Sequence, residues 1–169
     1  MIVDIRVGYG FDVHRLVVDR PLWLGGVVIP FEKGLLGHSD ADVLIHAICD
    51  AMLGAANLRD IGFHFPDTAG EFKGIDSKIL LRRTTDLLAG KGWKVSNVDA
   101  TVCAERPKLN THIPAMQSCL APLMDIQPDA VSIKATTTEK LGYTGREEGM
   151  SASAVVLITR SFILNSRFS

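Results

Sequence analysis

Residues 37–46, with the sequence GHSDADVLIH, place two histidines, two aspartates and a serine at the start of an apolar helical pattern. We predict that Ser39 caps a helix over residues 39–56, with Asp42 three residues later in the capping-box position. His46 is predicted to project from the polar side of this helix, whose N-terminus favours anions. An ordinary capped helix with a polar side also explains this stretch on its own. The apolar residues recur at the spacing of one buried helix face, and they are Val43, Leu44, Ala47, Ile48, Ala51 and Met52.

The composition is that of an ordinary globular domain without a strong overall charge. The chain has 169 residues, of which 47% are hydrophobic and 22% are charged, and its formal net charge is -1. This length fits a single domain, which we place at residues 1–160, followed by a C-terminal tail at residues 161–169. The small net charge gives no general attraction to nucleic acid or to a membrane, so neither is expected as a partner. An anionic ligand would therefore have to be bound by groups within its own site and not attracted by the overall charge.

The cysteines and the first residues of the chain indicate a reducing compartment. Cys49, Cys103 and Cys119 are odd in number and widely spaced, so we expect reduced, mostly buried thiols and not a zinc site. No apolar run reaches the length of a transmembrane helix, and no signal or transit pattern is present at the start. These features favour the bacterial cytoplasm, or the plastid stroma if the chain is a trimmed eukaryotic form.

Strand and helix patterns alternate along the chain, which predicts an α/β domain with helices stacked on one face of one sheet. Residues 3–11 form a period-two strand pattern with one apolar face, and Asp12 and His14 continue it on the polar face. The loop predicted over residues 57–74 is rich in aromatic residues and aspartates, which favours a functional loop over disorder. The other predicted elements are a short strand at residues 27–29, a helix from Asp76 or Ser77 to Gly90 or Gly92, a strand at residues 93–104, a helix from Asn110 or Thr111 through Leu123, and strands at residues 131–135 and 151–160.

Asp12, His14 and His46 form a candidate metal site. The first two lie at the end of a strand and the third lies on the helix. Two imidazoles and one carboxylate with an open fourth position are a catalytic zinc arrangement. The alternative is that each histidine is a satisfied polar side chain. His64 and His112 have no carboxylate at a useful spacing, so we expect them to be structural or surface residues.

A threonine-rich run after the strand at residues 131–135 forms a second candidate site. The hydroxyls and backbone amides of residues 136–138 suit phosphate oxygens, and Arg146 could add a bidentate contact. The glycine spacing of a P-loop is absent. The alternative interpretation is a threonine-rich turn with an exposed salt bridge. Residues 104–109 leave the preceding strand through a proline-stiffened loop with basic residues, and on their own we interpret them as a solvated connection.

Taken together, these motifs are similar to those of the 2-C-methyl-D-erythritol 2,4-cyclodiphosphate synthases. The similarity covers nearly all of residues 6–160, and it is carried by residues 8–14 (GYGFDVH), 37–42 (GHSDAD) with His46, 60–62 (DIG), 65–68 (FPDT) and 136–146 (TTTEKLGYTGR). The resemblance implies an α+β, ferredoxin-like sandwich with a mainly four-stranded sheet, assembled as a homotrimer with active sites between subunits. It also implies a zinc ion and a magnesium or manganese ion in each site, and it leaves open an isoprenoid ligand on the trimer axis.

The activity that the resemblance implies is that of a phosphorus-oxygen lyase of the non-mevalonate isoprenoid pathway. The 2-phosphate of 4-diphosphocytidyl-2-C-methyl-D-erythritol 2-phosphate attacks the β-phosphate, which forms the cyclic diphosphate and releases CMP. Because the nucleophile is already attached, positioning and charge stabilisation suffice without a covalent intermediate. Two other classes stay open, namely a zinc-dependent phosphohydrolase, which would need a general base for a zinc-bound water, and a non-catalytic nucleotide-binding scaffold.

The resemblance also implies a role for individual residues. The implied metal ligands are Asp12, His14 and His46 for zinc and Glu139 for magnesium or manganese, and the implied catalytic pair is His38 and Thr137. The implied contacts to the methylerythritol phosphate end and its sugar alcohol are Asp12, Val13, His14, His38, Ser39, Asp60, Ile61, Gly62, Phe65, Pro66, Asp67, Thr68 and Ala69. The implied cytidine pocket is Ala104, Glu105, Arg106, Pro107, Lys108, Leu109 and Asn110, and the further substrate contacts are Thr136, Thr137, Thr138, Glu139, Tyr143 and Arg146.

Three positions depart from the pattern of that family. Ala69 stands where an acidic residue is usual, Tyr143 replaces a phenylalanine, and Asn110 ends the cytidine loop in an unusual way. None of the three is an implied metal ligand. The departure at Ala69 affects one contact of the substrate loop.

Overall fold

A five-stranded sheet organises the molecule in the computed structural model, which describes residues 2–66, 68, 70–72 and 74–162. In chain order the strands are β1 (Ile2–Val18), β2 (Leu22–Leu24), β3 (Val27–Ile29), β4 (Lys33–Leu36), β5 (Lys94–Cys103), β6 (Val131–Thr136) and β7 (Gly149–Phe162). The sheet has the order β4-β1-β7-β5-β6, and β2 and β3 form a separate hairpin. β1 and β7 pair in antiparallel fashion over almost their whole length, while β5 and β6 are parallel.

Helices cover one face of this sheet. In chain order the helices are α1 (Val43–Ala55), α2 (Ile61–His64), α3 (Ser77–Ala89), α4 (Ile113–Leu123) and α5 (Gly142–Gly145), and the three long ones, α1, α3 and α4, pack on the strands. α1 lies against β1 and β7, and α4 provides the crossover that a parallel β5–β6 pair requires. The main core lies between the helices and the sheet and includes Leu44, Ile48, Val98 and Val156. The predicted α/β class with helices on one face is therefore confirmed.

The structure corrects several predicted boundaries. The sheet has five strands where mainly four were expected, because the short β4 pairs with the end of β1 at the sheet edge. The loop predicted over residues 57–74 contains α2 and a 3₁₀ turn at Gly70–Phe72, so it is not irregular throughout. β7 extends two residues beyond each end of the strand predicted at residues 151–160. Residues 163–169 of the predicted tail lie outside the described residues.

The start of α1 also differs from the prediction, because its N-cap is Asp42 rather than Ser39. The Asp42 carboxylate accepts the Ile45 N–H at 3.1 Å, and it accepts the N–H groups of Gly25 and Gly26 in the β2–β3 turn at 3.0 and 2.7 Å. Burial raises the pKa of Asp42, and these hydrogen bonds oppose that rise. The prediction of Ser39 as the N-cap was wrong because Asp42 can accept hydrogen bonds both from the start of α1 and from the β2–β3 hairpin, which is distant in sequence.

The apolar face of β1 is turned away from the helices. Its side chains are 44–65% exposed, and they are Val3, Ile5, Val7, Tyr9, Phe11 and Val13. Gly8 and Gly10 face α1 instead and let the helix lie directly on the strand. A β-carbon at these positions would fall 1.9 Å from the Ala51 oxygen and 2.0 Å from the Ala47 oxygen. The predicted strand is confirmed, but the side that packs against the helices is the one with glycines and polar residues.

Substituting Gly10 by alanine is expected to lower the free energy of unfolding by about 3 kcal/mol, the upper part of the usual range for overpacked cores. The added methyl group would collide with the Ala47 oxygen, so α1 would have to move away from β1. Gly54→Ala, on α1 itself, is the matched control, because the nearest atom is the Tyr9 oxygen at 4.0 Å. That change should be neutral or gain up to about 1 kcal/mol from helix propensity. Urea denaturation compares the two variants, and equal midpoints would contradict the close packing described above.

The cysteines are free thiols, as expected, although only Cys49 is fully buried and Cys103 and Cys119 are half-buried. Burial raises the pKa of the Cys49 thiol to about 12, so this thiol is not ionised at neutral pH. In the part of the chain that the structure describes, the helices are too short or too polar to cross a bilayer.

Candidate active site

Asp12, His14 and His46 converge on one point, as predicted. Oδ2 of Asp12 lies 2.9 Å from His46 Nδ1 and 3.0 Å from His14 Nε2, and the two ring nitrogens are 3.1 Å apart. Among the described residues, this is the one group of at least three His, Cys, Asp or Glu side chains that is arranged to hold a metal ion. Two imidazoles and a carboxylate are ligands that zinc accepts, and three protein ligands leave a further position free. This donor set therefore fits a divalent metal such as zinc.

The close packing of α1 on β1 brings these three residues together, and we call them the triad. Asp12 and His14 lie on the face of β1 that carries the glycines in contact with α1, because alternate residues of a strand share a face. One of these contacts involves Ala47, so the preceding residue, His46, is held next to the strand. His46 was predicted to project from a polar helix side, but only 8% of it is exposed. α1 therefore directs the His46 side chain toward the polar site on β1 and not toward solvent.

The charges within the triad shift two pKa values in opposite directions. Burial alone would raise the pKa of Asp12, but hydrogen bonds and charges from His14 and His46 lower it well below its usual range. Burial alone would lower the pKa of His46, but its hydrogen bond with Asp12 and the charge of that carboxylate raise it. Asp12 is therefore ionised near neutral pH and available as an anionic ligand.

The other ring nitrogen of His46 is held by two serine hydroxyls. His46 Nε2 lies 3.0 Å from Ser77 Oγ and 3.2 Å from Ser39 Oγ. Asp40 accepts both the Ser77 N–H, at 2.9 Å, and the Ser77 hydroxyl. Metal-binding histidines commonly have a partner of this kind on the nitrogen that points away from the ion. Neither Asp40 nor Ser77 was predicted as a site residue, and the sequence around Ser77 carries only the signal of a helix start.

The three residues of the triad line a cleft of about 400 Å³. His38 and Ser39 line this cleft, and so do Ile61, Gly62 and Phe65 from the predicted substrate loop. The structure thus places five of the predicted substrate contacts beside the triad. Their roles toward a substrate stay predictions.

The cleft also has an apolar lining that was not predicted from the sequence. Phe72 and Leu80 pack against Phe65 in a small cluster, and Ile75 lies beside them. Apolar spacing assigns Leu80 to the buried face of a helix, and that signal does not distinguish a core position from the wall of a cleft. These residues became part of the site only through the folding of the loop before α3.

Two aspartates hold α2 at the cleft. Asp60 caps this short helix by accepting the Phe63 N–H at 2.8 Å. Asp50, one turn after His46 on α1, accepts the Ile61 N–H at 2.8 Å. The predicted substrate contact at Asp60 therefore has a structural task in this arrangement, since its carboxylate fixes the start of α2.

The remaining predicted contacts on this side are only partly described. Pro66 is half-buried and Thr68 is exposed, whereas Asp67 and Ala69 lie outside the described residues. Val13 lies between two triad residues in sequence, but its side chain points to the opposite face of the sheet and is 44% exposed. A contact from Val13 to a ligand in the cleft would therefore involve its backbone.

The predicted cytidine loop and the threonine run meet in a second cavity, of about 100 Å³. Glu105 ties the two segments together, because its Oε1 accepts the N–H groups of Thr138 at 3.0 Å and Lys140 at 3.1 Å. Arg106 forms an ion pair with Glu32 at 2.8 Å and does not line the cavity. The loop is therefore more than a solvated connection. The lining residues are Ala104, Glu105, Pro107, Lys108, Leu109, Asn110, Ala135, Thr136 and Thr137.

Glu139 lies at a strained part of the backbone after the threonine run. Glu139 and Lys140 have φ angles of 52° and 63°, which residues other than glycine rarely adopt. Backbone outliers of this kind occur often at functional sites. The Glu139 side chain is exposed, and its Oε1 accepts the Thr137 hydroxyl at 3.1 Å. The carboxylate is thus directed at the residues predicted to bind phosphate.

The last two predicted contacts lie on the surface. Tyr143 belongs to α5 and is 39% exposed. Arg146 follows α5 and pairs with Glu148 at 3.0 Å. This pair is the exposed salt bridge that the alternative interpretation of the threonine-rich run expects.

The two cavities lie on different strands of the sheet. Val13, Ser151, Cys103 and Thr136 are register partners in one row across β1, β7, β5 and β6. Three strand spacings separate β1 from β6, a distance of about 14 Å. Thr136 also shares a face with Val13, opposite to the triad. In a single chain, the triad and the threonine run therefore do not form one continuous site.

Known proteins resemble this chain over nearly its whole length. The model of the YgbB family matches residues 5–159. The 2-C-methyl-D-erythritol 2,4-cyclodiphosphate synthase of Bacteroides fragilis (strain YCH46) is 70% identical over 158 residues, which cover 94% of this chain and 99% of that protein. The protein of the same name from Phocaeicola vulgatus is 73% identical over 159 residues, which again cover 94% and 99%.

Solved structures share the fold. The bifunctional IspDF from Campylobacter jejuni matches with a TM-score of 0.91 and 44% identity, over 95% of this chain and 43% of that longer chain. A 2C-methyl-D-erythritol-2,4-cyclodiphosphate synthase in a CDP-bound form matches with a TM-score of 0.84 and 39% identity, over 90% of this chain and 99% of the other. Sequence identity, fold and the geometry of the triad agree, and the chain belongs to the YgbB family, the family of the 2-C-methyl-D-erythritol 2,4-cyclodiphosphate synthases.

Proposed function

We propose that this protein converts 4-diphosphocytidyl-2-C-methyl-D-erythritol 2-phosphate into 2-C-methyl-D-erythritol 2,4-cyclodiphosphate and CMP. The observation that carries the proposal is the triad in the wall of a cleft, in a chain 73% identical to a synthase of that product. The second cavity offers a place for the nucleotide, and the related structure in its CDP-bound form supports binding of a cytidine nucleotide by this family. The free thiols fit a reducing compartment, and we propose the bacterial cytoplasm.

The proposed reaction is an intramolecular displacement at phosphorus. An oxygen of the 2-phosphate bonds to the β-phosphorus, and the bond between that phosphorus and the oxygen shared with the α-phosphate breaks. CMP leaves with that oxygen and its electron pair. Because both reacting groups belong to one molecule, the protein has to position them and to stabilise charge. A zinc ion at the triad would polarise the β-phosphate, and a magnesium or manganese ion at Glu139 would neutralise charge on the diphosphate oxygens.

The side chains of the protein would orient the substrate from two sides. His38 and Ser39 lie in the wall of the cleft, where they would hold the methylerythritol phosphate end. Thr137 would meet the diphosphate from the second cavity and share transition-state stabilisation with His38. The apolar lining formed by Phe72 and Leu80 would cover the carbon skeleton and exclude water. Exclusion of water favours attack by the tethered phosphate over hydrolysis.

A complete site of this kind requires more than one chain, and we propose a homotrimer with the sites between subunits. The two cavities of one chain are separated by three strand spacings, so Thr137 would have to come from a neighbouring subunit to meet His38. The apolar face of β1 continues onto β7 at Val155, which is 42% exposed. A contiguous exposed apolar surface of this kind is typical of an interface, and closed cyclic symmetry would cover it in every chain.

The assembly is tested by light scattering of the purified protein. We expect three times the chain mass of 18.3 kDa. Val7→Glu, in the apolar face of β1, should give an inactive monomer, because each subunit would bring an unpaired charge to the interface. Val28→Glu is the matched control, since Val28 is 51% exposed on the separate β2–β3 hairpin. An active monomer of the unmodified protein would rule out the shared site.

The reaction class is tested by phosphorus NMR of the products. With the diphosphocytidyl substrate and both metal ions, we expect a cyclic diphosphate and stoichiometric CMP. An open-chain phosphate would indicate a phosphohydrolase. The absence of turnover by the trimeric, metal-loaded protein would indicate a nucleotide-binding scaffold. Either of these two results would refute the proposed function.

A further inference from the structure

Asp40 and Ser77 have no role in the proposed reaction so far, yet both lie next to the triad. Ser77 is the first residue of α3 and is completely buried. It contacts the ring nitrogen of His46 that points away from Asp12 and His14, at 3.0 Å. The direction of the hydrogen bonds between these residues decides which nitrogen of His46 carries a proton.

The directions of these hydrogen bonds follow from which groups can donate and which can only accept. A carboxylate only accepts hydrogen bonds, so the Ser77 hydroxyl donates to Asp40. The only proton of that hydroxyl is then used, and Ser77 Oγ is left to accept from His46 Nε2. Nε2 therefore carries a proton, so when a metal ion takes the place of a proton at Nδ1, the lone pair of Nδ1 faces that ion beside Asp12 and His14. This is the tautomer in which His46 serves as a metal ligand.

Further hydrogen bonds hold the Asp40 carboxylate in place, so that it remains the acceptor of the Ser77 hydroxyl. One of its carboxylate oxygens accepts the Ser77 N–H at 2.9 Å, and the other accepts the Asp42 N–H at 3.2 Å. Ser39, the second neighbour of His46 Nε2, does not determine whether this nitrogen carries a proton. Ser39 Oγ accepts the Ala41 N–H at 3.1 Å and keeps its own proton, so it can pair with either form of the ring.

We propose that Ser77, oriented by Asp40, is a positioning residue that fixes His46 as the Nε2–H tautomer and presents Nδ1 to the metal ion. This proposal rests on the proposed function only in that a metal ion binds at the triad. Outer partners of ligating histidines typically change metal affinity by a factor of about 10–100 when they are removed. The same arrangement leaves the Ser39 hydroxyl free to face the cleft.

The test measures zinc affinity by competition with a chromophoric chelator. Ser77→Ala should bind zinc about 10–100 times more weakly than the unmodified protein. In zinc-loaded protein with ¹⁵N-labelled histidine, the Nε2–H signal of His46 should be protected from exchange, and this protection should be lost in Ser77→Ala. Asp40→Asn should weaken zinc binding in the same direction, because an amide cannot accept at every position where the carboxylate does. Thermal unfolding of the metal-free variants shows that the fold is retained.

Thr85→Val is the matched control for the loss of a buried hydroxyl. Thr85 lies on the same helix, and its hydroxyl donates to the Leu81 oxygen at 3.1 Å, without a contact to His46. Its zinc affinity should equal that of the unmodified protein. The proposal is overturned if Ser77→Ala keeps both its zinc affinity and its protected Nε2–H signal, or if Thr85→Val loses as much affinity. Failure of the unmodified protein to bind zinc would instead refute the metal site of the proposed function.

Discussion

Asp12→Asn protein is expected to retain its fold and to lose most of its zinc. Its turnover should fall by a factor on the order of a thousand, which is the effect of losing a preorganised charge-stabilising group. The substitution keeps the shape of the side chain but removes the charge that His14 and His46 surround. The amide would also turn a donor toward a ring nitrogen, where a metal site needs an acceptor. Metal analysis of the purified protein and steady-state turnover measure the two effects.

Asp12→Asn is preferable to His46→Ala as the test of the triad. His46 is only 8% exposed, so its removal would leave a cavity beside Ser39 and Ser77 in addition to removing a ligand. Asp4→Asn is the matched control on the same strand and face, where Asp4 pairs with Arg160 at 3.0 Å. That variant should keep full zinc content and turnover. Stoichiometric zinc in Asp12→Asn would show that this carboxylate is not a ligand.

Glu139→Gln is expected to keep a normal zinc content and to lose turnover by a factor of about one hundred or more. Glu139 is an exposed carboxylate beside Thr137 and the other threonines predicted to bind phosphate. Alone, it would repel a diphosphate. A hard divalent cation between the carboxylate and the phosphate oxygens removes that repulsion, since magnesium commonly takes one or two protein carboxylates together with substrate oxygens and water.

The magnesium or manganese dependence separates this role from a merely structural one. In Glu139→Gln, half-maximal activity should need a much higher concentration of magnesium, whereas zinc binding at the triad should be unaffected. Asp129→Asn, an exposed carboxylate before the other end of β6, is the control and should titrate like the unmodified protein. An unchanged magnesium titration with unchanged turnover in Glu139→Gln would show a surface charge at a turn, and the second metal ion would have to be abandoned.

The sequence determined the features of this protein that depend on local spacing. The alternation of apolar and polar residues predicted the strands, and three- to four-residue spacing predicted the long helices, because these periods follow from backbone geometry. The pair Asp12 and His14 lies on one strand face for the same reason. The combination of several short motifs was specific enough to indicate the family, although none of them was specific alone.

The tertiary structure decided which surfaces these elements bury. Gly8 and Gly10 let α1 lie on the polar side of β1, so the apolar side stays exposed, and no periodicity in the strand reveals which side a helix will choose. The N-cap at Asp42 depends on N–H groups of a hairpin distant in sequence. Burial of His46 and its contact with Ser77 depend on the meeting of two helices. Each of these features is a contact between segments far apart in the chain, and its energy exists only once both segments are in place.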